Sequence, residues 1–277
     1  MKTLIENIEG NNSDGKNVLL IAGMHGNEIT PVYALANMIK NNSFNLNKIK
    51  SLTILNGINM SGLRYRERDI IDEPTNDLNR LLIPFKDYNE VDLLSKKIKE
   101  NDIIIDIHSS PNCMEFALID IDEYTNSMKK WCDESNIQTA FRYSKANTLK
   151  RYGLEKGKPT LTIEINGIDK IDKISADNVK HIINKLLQNI ELAKINKSTP
   201  HVLSLIEVKT YLEGILVEEK HNAQLLVKSD ILAKVYDLQM NEIGKIKSPV
   251  KGIIICSPDK SFITRGDVVY LIQENND

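Results

Sequence analysis

Short apolar segments alternate with longer amphipathic segments along the first two thirds of this sequence. Runs of apolar residues predict five buried strands, at 17–22, 51–56, 102–107, 115–120 and 161–165. Apolar side chains recurring at helical spacing predict helices at about 31–40, 88–99, 122–135 and 170–194. Strands that alternate with helices build a sheet covered by helices. We therefore predict an α/β fold, a mixed, mainly parallel sheet flanked by helices.

The pattern changes after the segment INKSTP, which ends at residue 200. From there the sequence shows short β-like runs such as ILAKVYD, KGIIICS and DVVYLI, separated by Gly, Pro, Asp and Asn. We therefore predict two domains, a catalytic domain at 1–197 and a small all-β module at 198–277. We expect the module to cap the mouth of the active site and to narrow its entrance.

Composition restricts the partners that this chain can take. It has 277 residues with 41% hydrophobic residues and a net charge of −2. The absence of a long basic run disfavours a nucleic-acid or membrane-surface partner. No segment approaches the ~20 apolar residues that a membrane span requires, and the first residues do not resemble a signal segment. Cys113, Cys132 and Cys256 are odd in number and widely spaced, so we expect no disulfide framework and a cytoplasmic location.

Residues that can carry chemistry follow three of the predicted strands. His25 and Glu28 come just after the first strand, His108 follows the third, and Glu164 lies near the end of the last. Thr30 and Pro31 are predicted as the N-cap and first residue of the next helix. Sites in open α/β sheets collect at the carboxyl ends of strands, so we expect these side chains to face one crevice.

Two histidines and one glutamate are the ligand set of one class of catalytic zinc site. We predict that His25, Glu28 and His108 bind one Zn²⁺ per chain, and that Glu164 is an unliganded general base. Asp106 precedes His108 by two residues on the same strand face, so it is predicted to orient that ligand. The alternative for Asp106 is a buried salt bridge, and the alternative for either histidine is a structural hydrogen bond.

Arginine is concentrated in one short stretch. Four of the seven arginines, at positions 64, 66, 68 and 80, lie within 17 residues, whereas the rest of the sequence favours lysine. A planar guanidinium can bind a carboxylate through two hydrogen bonds, which a lysine cannot do. The alternative is a solvated loop whose arginines pair with the neighbouring acidic residues.

The motifs GMHGNE, NMSGLRY, NDLNR, DIHSS and TIEING, in this order, resemble the succinylglutamate desuccinylase/aspartoacylase branch of the zinc carboxypeptidase superfamily. The later β-rich segment is also similar to the C-terminal module of that branch. The resemblance implies that Arg64 polarises the scissile carbonyl and that Asn79 and Arg80 bind the carboxylate of the substrate. It also implies that Glu164 is the general base and that His25, Glu28 and His108, here called the triad, are the zinc ligands.

The sequence departs from that family pattern at two places. The stretch between Arg64 and Asn79 is longer than in aspartoacylases, and no arginine shortly precedes Glu164. Arg151 is the candidate for binding the distal carboxylate of the acyl group, with Arg142 as a second, so specificity for an acidic acyl group stays open. Three tyrosines are candidates for the late active-site tyrosine of the family: Tyr211, Tyr236 and Tyr270.

The resemblance implies a zinc-dependent hydrolase that cleaves the amide bond of a small N-acyl amino acid. The expected partner is that small molecule, with no nucleic acid or membrane, and the sequence leaves a homo-oligomer open. One alternative is a zinc carboxypeptidase that acts on short peptides or cell-wall fragments. A second alternative is a non-catalytic homologue that binds a carboxylate.

Overall fold

The computed structural model describes residues 2–70, 77–80, 89–120, 126–142, 147–195 and 205–275. The chain forms two compact units. The first consists of Met1–Ser110, Glu115–Thr139 and Tyr143–Pro200. The second consists of His201–Asp277 together with two short segments from the middle of the chain, Pro111–Met114 and Ala140–Arg142. The sequence did not predict those two segments, and the expected position of the C-terminal module over the active-site mouth stays a prediction.

Among its described residues, the first unit contains six complete strands, the first two residues of β6, six α-helices and two short 3₁₀ segments; the last three residues of β6 belong to the second unit. The strands are β1 Leu4–Glu9, β2 Lys16–Ala22, β3 Ile49–Asn56, β4 Ile103–Ser110, β5 Phe116–Asp120, β6 Gln138–Arg142 and β7 Thr160–Asn166. The helices are α1 Ile29–Lys40, α2 Met60–Tyr65, α3 Asn89–Glu100, α4 Asn126–Glu134, α5 Leu149–Glu155 and α6 Lys173–Gln188. The 3₁₀ segments are Leu78–Arg80 and Ile190–Leu192.

The seven strands form one mixed sheet in the order β1-β3-β2-β4-β7-β5-β6. Pairings β3–β2, β2–β4 and β4–β7 are parallel, whereas β1–β3 and β5–β7 are antiparallel. The inner strands β2 and β4 are buried along almost their whole length, as expected of parallel strands covered on both faces. The predicted α/β class with a mainly parallel sheet is therefore confirmed.

The differences from the predicted elements lie in short and edge segments. The sequence prediction did not include β1, α2, β6 or α5, whose five to seven residues are too few for a clear periodic signal. The predicted last helix is shorter, because α6 ends at Gln188. Predicted helix residues 88 and 122–125 lie outside the described residues. The predicted N-cap was wrong by two residues, because α1 begins at Ile29 with Glu28 in the cap position.

The second unit is all-β, as predicted. Its strands are β8 Leu205–Lys209, β9 Gly214–Glu218, β10 Leu225–Leu226, β11 Ile231–Tyr236, β12 Glu242–Lys247, β13 Gly252–Cys256, β14 Phe262–Ile263 and β15 Val268–Glu274. They form two four-stranded sheets, β10-β13-β15-β8 and β12-β11-β9-β14. Apolar side chains of both sheets form one core that includes Leu232, Val235, Ile254 and Ile272.

A disulfide joins Cys113 and Cys256 within the second unit. The expectation of no disulfide was wrong, because spacing along the sequence does not report on a pairing across 143 residues. Backbone hydrogen bonds flank the bridge on both sides, from Met114 N to Ile255 O and from Ser257 N to Asn112 O. Cys132 is a buried free thiol. The cysteines therefore no longer support the predicted cytoplasmic location, which stays a prediction.

Within the described ranges, we find no helix with both the length and the apolar character needed to cross a membrane.

Candidate metal centre and active site

The loop between β2 and α1 carries the first two predicted ligands. Gly23 has φ +77° at the end of β2, a conformation that a side chain disfavours, and it turns the chain away from the sheet. Gly26 packs so closely on α2 that a Cβ atom there would overlap the main chain of Gly62. His25 and Glu28 are consequently held in a loop pressed against the first turns of α2, and both are almost fully buried.

The pairing of two parallel strands places the third predicted ligand beside the predicted base. His108 on β4 lies directly opposite Glu164 on β7 in the strand register. Ser110, two residues further along β4, donates a hydrogen bond from Oγ to Glu164 Oε2 at 2.9 Å. The carboxyl ends of these central strands therefore form one polar edge, as the sequence predicted.

The structure brings His25, Glu28 and His108 together. His25 Nδ1 lies 2.6 Å from Glu28 Oε1, and His108 Nδ1 lies 3.0 Å from Glu28 Oε2. The two Nδ1 atoms are 3.1 Å apart. Ligand atoms around a tetrahedral zinc are about 3.3 Å apart, because the metal–ligand bonds are about 2.0–2.1 Å long. The three side chains are thus already close to the separations that a shared ion requires.

The outward nitrogen of each histidine is held by a carboxylate. His108 Nε2 lies 2.7 Å from Asp106 Oδ2, a contact expected both of an orienting carboxylate and of the alternative, a buried salt bridge. His25 Nε2 lies 3.0 Å from Asp77 Oδ1, a contact that the sequence prediction missed. Carboxylates at this position fix the ring orientation and leave the other nitrogen free for a metal. The only sequence signal for Asp77 was its place at the start of DLNR.

The electrostatics of the triad favour a bound cation. Burial alone would raise the pKa of Glu28, but the charges and hydrogen bonds of His108 and His25 lower it to about 2. Burial disfavours the charged form of His108, yet Asp106 and Glu28 raise its pKa well above 6.5. The carboxylates of Asp106 and Glu28 therefore favour positive charge at this position. In the metal-free protein a proton on His108 supplies that charge, and a divalent ion would supply it after displacing the proton. The donor set and its partners therefore fit a zinc ion.

The pKa of Glu164 shifts in the opposite direction from that of Glu28. Burial and the nearby charge of Glu28 raise the pKa of the Glu164 carboxyl, although His108 and the Ser110 hydroxyl partly offset this. A carboxyl whose pKa lies above its usual range exchanges protons more readily near neutral pH. Its position next to His108 and its raised pKa are both suited to a general base.

An arginine of the clustered stretch that was not predicted as a site residue, Arg68, contacts the triad in the described part of the chain. Its Nη1 lies 3.7 Å from Glu28 Oε1, and its Nη2 lies 3.3 Å from Asp77 Oδ2. The backbone oxygen of Arg68 accepts hydrogen bonds from Gly26 N and from Asn59 Nδ2. Arg64 is exposed in the last turn of α2, so its predicted role at the carbonyl stays a prediction.

Asn79 and Arg80 lie on the 3₁₀ segment Leu78–Arg80. Asp77, the residue just before this segment, contacts His25. Asn79 N donates to Asp77 Oδ1, and Asn79 Oδ1 accepts from Leu149 N at the start of α5. Arg80 donates from Nη1 to the Asn79 carbonyl, and its Nε lies 4.0 Å from Asp77 Oδ2. The side chain of Arg80 is partly exposed and thus open to a ligand.

The remaining candidates from the sequence are two arginines, Arg151 and Arg142, and the late tyrosine. Arg151 pairs with Glu155 along α5, and the side chain of Arg142 lies outside the described residues. Tyr270 is buried in the second unit, where its hydroxyl donates to the Leu232 carbonyl. Burial raises its pKa, and a structural role explains both facts. The identity of a late active-site tyrosine stays a prediction.

Comparison with known proteins identifies the family. The model of the succinylglutamate desuccinylase/aspartoacylase catalytic domain matches residues 14–190. This range contains all eight predicted site residues. No curated protein sequence matches this chain.

Three solved structures illustrate the likeness in fold. A succinylglutamate desuccinylase/aspartoacylase from Rhodobacter sphaeroides has a TM-score of 0.77 at 15% identity, covering 99% of this chain and 89% of that one. The product-bound ectoine utilization protein EutE (DoeB) from Ruegeria pomeroyi has a TM-score of 0.76 at 19% identity, with 98% and 88% coverage. An aspartoacylase family protein from Mesorhizobium loti has a TM-score of 0.72 at 15% identity, with 99% and 89% coverage. The likeness in fold to these structures therefore extends over nearly the whole chain.

Proposed function

This chain belongs to the succinylglutamate desuccinylase/aspartoacylase family, and from that premise we propose that it is a zinc-dependent deacylase of a small N-acyl amino acid. The buried cluster of His25, Glu28 and His108, each histidine held by its own carboxylate, is the observation that carries this proposal. When bound there, zinc would act as a Lewis acid and lower the pKa of water towards ~7.

Glu164 is proposed as the general base that accepts a proton from the attacking water and returns it to the leaving amine. A general base must lie within hydrogen-bond reach of the water that it deprotonates. Glu164 lies opposite His108 in the strand register, so it would lie beside a water held by an ion at the triad. The hydrogen bond from Ser110 holds one carboxylate oxygen, which leaves the other to take up the proton.

Arg68 is proposed to stabilise the negative charge that develops on the carbonyl oxygen. Its contacts with Glu28 and Asp77 support this role over the same role for Arg64. A cation beside the developing oxyanion stabilises the transition state more than the neutral substrate. Arg64 is exposed in the last turn of α2, four residues before Arg68, and we retain it only as a second candidate.

Asn79 and Arg80 are proposed to bind the carboxylate next to the scissile amide. The Asn79 oxygen is occupied by Leu149 N, so its Nδ2 is the end that can donate to a carboxylate. A guanidinium beside it adds charge-assisted hydrogen bonds, and a substrate fixed in this way loses less entropy on reaching the transition state. Arg151 is the proposed contact for the far end of the acyl group.

The test is a substrate panel on the zinc-loaded protein. We expect turnover of N-acetyl- or N-succinyl-amino acids and little turnover of short peptides that carry the same carboxyl-terminal residue. Peptide hydrolysis without deacylation would replace the proposal with the carboxypeptidase alternative. A protein that binds no zinc and turns over neither class would favour a non-catalytic carboxylate-binding homologue.

A further inference from the structure

The hydroxyl of Thr30, two residues after the proposed ligand Glu28, binds the segment that follows β7. Thr30 is fully buried in the first turn of α1. Its Oγ1 donates a hydrogen bond to the Lys170 carbonyl at 3.1 Å and accepts one from Asp172 N at 3.1 Å. Residues 167–172, here named the clamp loop, therefore use both the donor and the acceptor of one hydroxyl.

A third hydrogen bond of the clamp loop lies on the other side of the proposed ligand Glu28. Asp169 N donates to the Asn27 carbonyl at 2.8 Å. Glu28 thus lies between two residues, Asn27 and Thr30, that are both hydrogen-bonded to the same loop. The clamp loop continues directly from the strand that carries Glu164, so it connects the metal carboxylate with the proposed base.

The clamp loop is itself fixed by side-chain hydrogen bonds. Asn166 Nδ2 donates to Asp172 Oδ2 at 2.8 Å, and Asp172 Oδ1 accepts from Ser175 N at 3.0 Å as the N-cap of α6. Gly167 has φ +111°, and a Cβ atom there would lie 2.6 Å from Thr30 Oγ1. The loop can therefore approach the hydroxyl closely only because residue 167 lacks a side chain.

We propose that Thr30 is a positioning residue for the metal site. Through its hydrogen bonds with the clamp loop, Thr30 sets the distance and orientation of Glu28. The proposal rests on the proposed function, because it assumes that the triad binds zinc. Metal–ligand distances tolerate changes of only about 0.2 Å, so small displacements of Glu28 lower the affinity. Valine has the shape of threonine but would leave the Lys170 carbonyl and Asp172 N without partners inside the protein.

The test compares zinc affinity in matched variants by competition with a chromophoric chelator. We expect Thr30→Val to raise the zinc dissociation constant about 10–100-fold, the range for loss of residues that support metal ligands. Thr30→Ser keeps the hydroxyl, so we expect it to bind zinc nearly as the unmodified protein does. Thr210→Val is the control, because the buried Thr210 Oγ1 also donates to and accepts from one residue, Leu212, in the second unit.

A purely structural role makes a different prediction. Thr30→Val and Thr210→Val would then both lower the melting temperature of the metal-free protein while leaving the zinc dissociation constant within about twofold of its original value. That result would overturn the inference. If Thr30→Val does not fold, Asn166→Ala removes one hydrogen bond of the clamp loop at a partly exposed position. An unchanged zinc affinity of Asn166→Ala would equally overturn it. Failure of the unmodified protein to bind zinc would instead refute the proposed function.

Discussion

Replacing Gly26 by alanine tests whether the close packing of the metal-binding loop on α2 maintains the metal site. A Cβ atom built on Gly26 would lie 1.9 Å from the carbonyl carbon of Gly62, whereas ordinary contacts begin at 3.4 Å. The loop and the helix must therefore separate by about 1.5 Å, the difference between these distances. Gly26 lies between the two proposed ligands His25 and Glu28, so we expect both to move with it.

The expected magnitudes follow from this displacement. Overpacking of this kind costs about 1–3 kcal/mol of folding free energy. With an unfolding entropy of about 2.1 cal/mol/K per residue, that loss lowers the melting temperature by roughly 2–5 °C for a chain of this size. A shift of about 1.5 Å is much larger than the ~0.2 Å that ligand geometry tolerates, so we expect zinc affinity to fall at least 100-fold.

Gly157→Ala is the matched control for Gly26→Ala. Gly157 has φ +69°, and a Cβ atom there meets nothing within 4 Å, so alanine introduces backbone strain without a clash. Left-handed backbone costs a non-glycine residue about 1–2 kcal/mol, which makes the two variants similar in stability. Zinc titration of both metal-free proteins then separates a general loss of stability from a specific loss of the site. Wild-type zinc affinity in Gly26→Ala would refute the argument.

Three further predictions concern the chemistry and the disulfide. Glu164→Gln should retain zinc, measured by metal analysis, and lose most turnover; near-normal turnover would remove Glu164 from the mechanism. Arg68→Ala should lower kcat/KM about 100-fold or more, as loss of an oxyanion contact does, while Arg64→Ala should have a smaller effect; the opposite order would favour Arg64. Cys113→Ser should lower the melting temperature, because a bridge across 143 residues stabilises by up to about 5 kcal/mol. A dithiol reductant should lower the melting temperature of the unmodified protein similarly and leave Cys113→Ser unchanged; no response of the unmodified protein would contradict a stabilising disulfide.

Sequence patterns predicted those parts of the fold that depend on local periodicity. The buried runs at β2, β4 and β7 indicated a mainly parallel sheet, and their carboxyl ends indicated where His25, His108 and Glu164 would meet. Once the sheet order places these strands side by side, their carboxyl ends meet at one edge of the sheet, and the loop after β2 brings His25 and Glu28 to His108. The α/β class and the candidate site were accessible for this reason.

Features that depend on tertiary contacts were not accessible from the sequence. Arg64 and Arg68 are four residues apart in one arginine-rich stretch, and nothing local indicates which of them reaches the triad. The choice is made by the left-handed Arg66 and by the hydrogen bond from Gly26 N to the Arg68 carbonyl. Thr30 had the sequence of an N-cap, but its hydroxyl bonds to the clamp loop 140 residues away.

The raised pKa of His108 couples zinc binding to pH. Burial lowers that pKa, but Asp106 and Glu28 raise it well above 6.5, so we expect His108 to hold a proton at neutral pH in the metal-free protein. A histidine ligand binds zinc in its neutral form, and each zinc bound must therefore release at least one proton. The apparent zinc affinity should rise about tenfold per pH unit between pH 6 and 7.5.

The raised pKa of His108 also makes the stability of the metal-free protein depend on pH. Zinc affinity should rise with pH, whereas this contribution to stability should fall. A folded-state pKa above the unfolded value stabilises the fold at pH below about 6.5, and this contribution is lost as pH rises through the folded-state pKa. Asp106→Asn removes the largest charge that raises this pKa, so it should flatten both the pH dependence of zinc affinity and that of melting. Calorimetry in two buffers of different ionisation enthalpy counts the protons released. Zinc binding without proton release at pH 6.5 would contradict the protonated state of His108 and the electrostatic account of the triad.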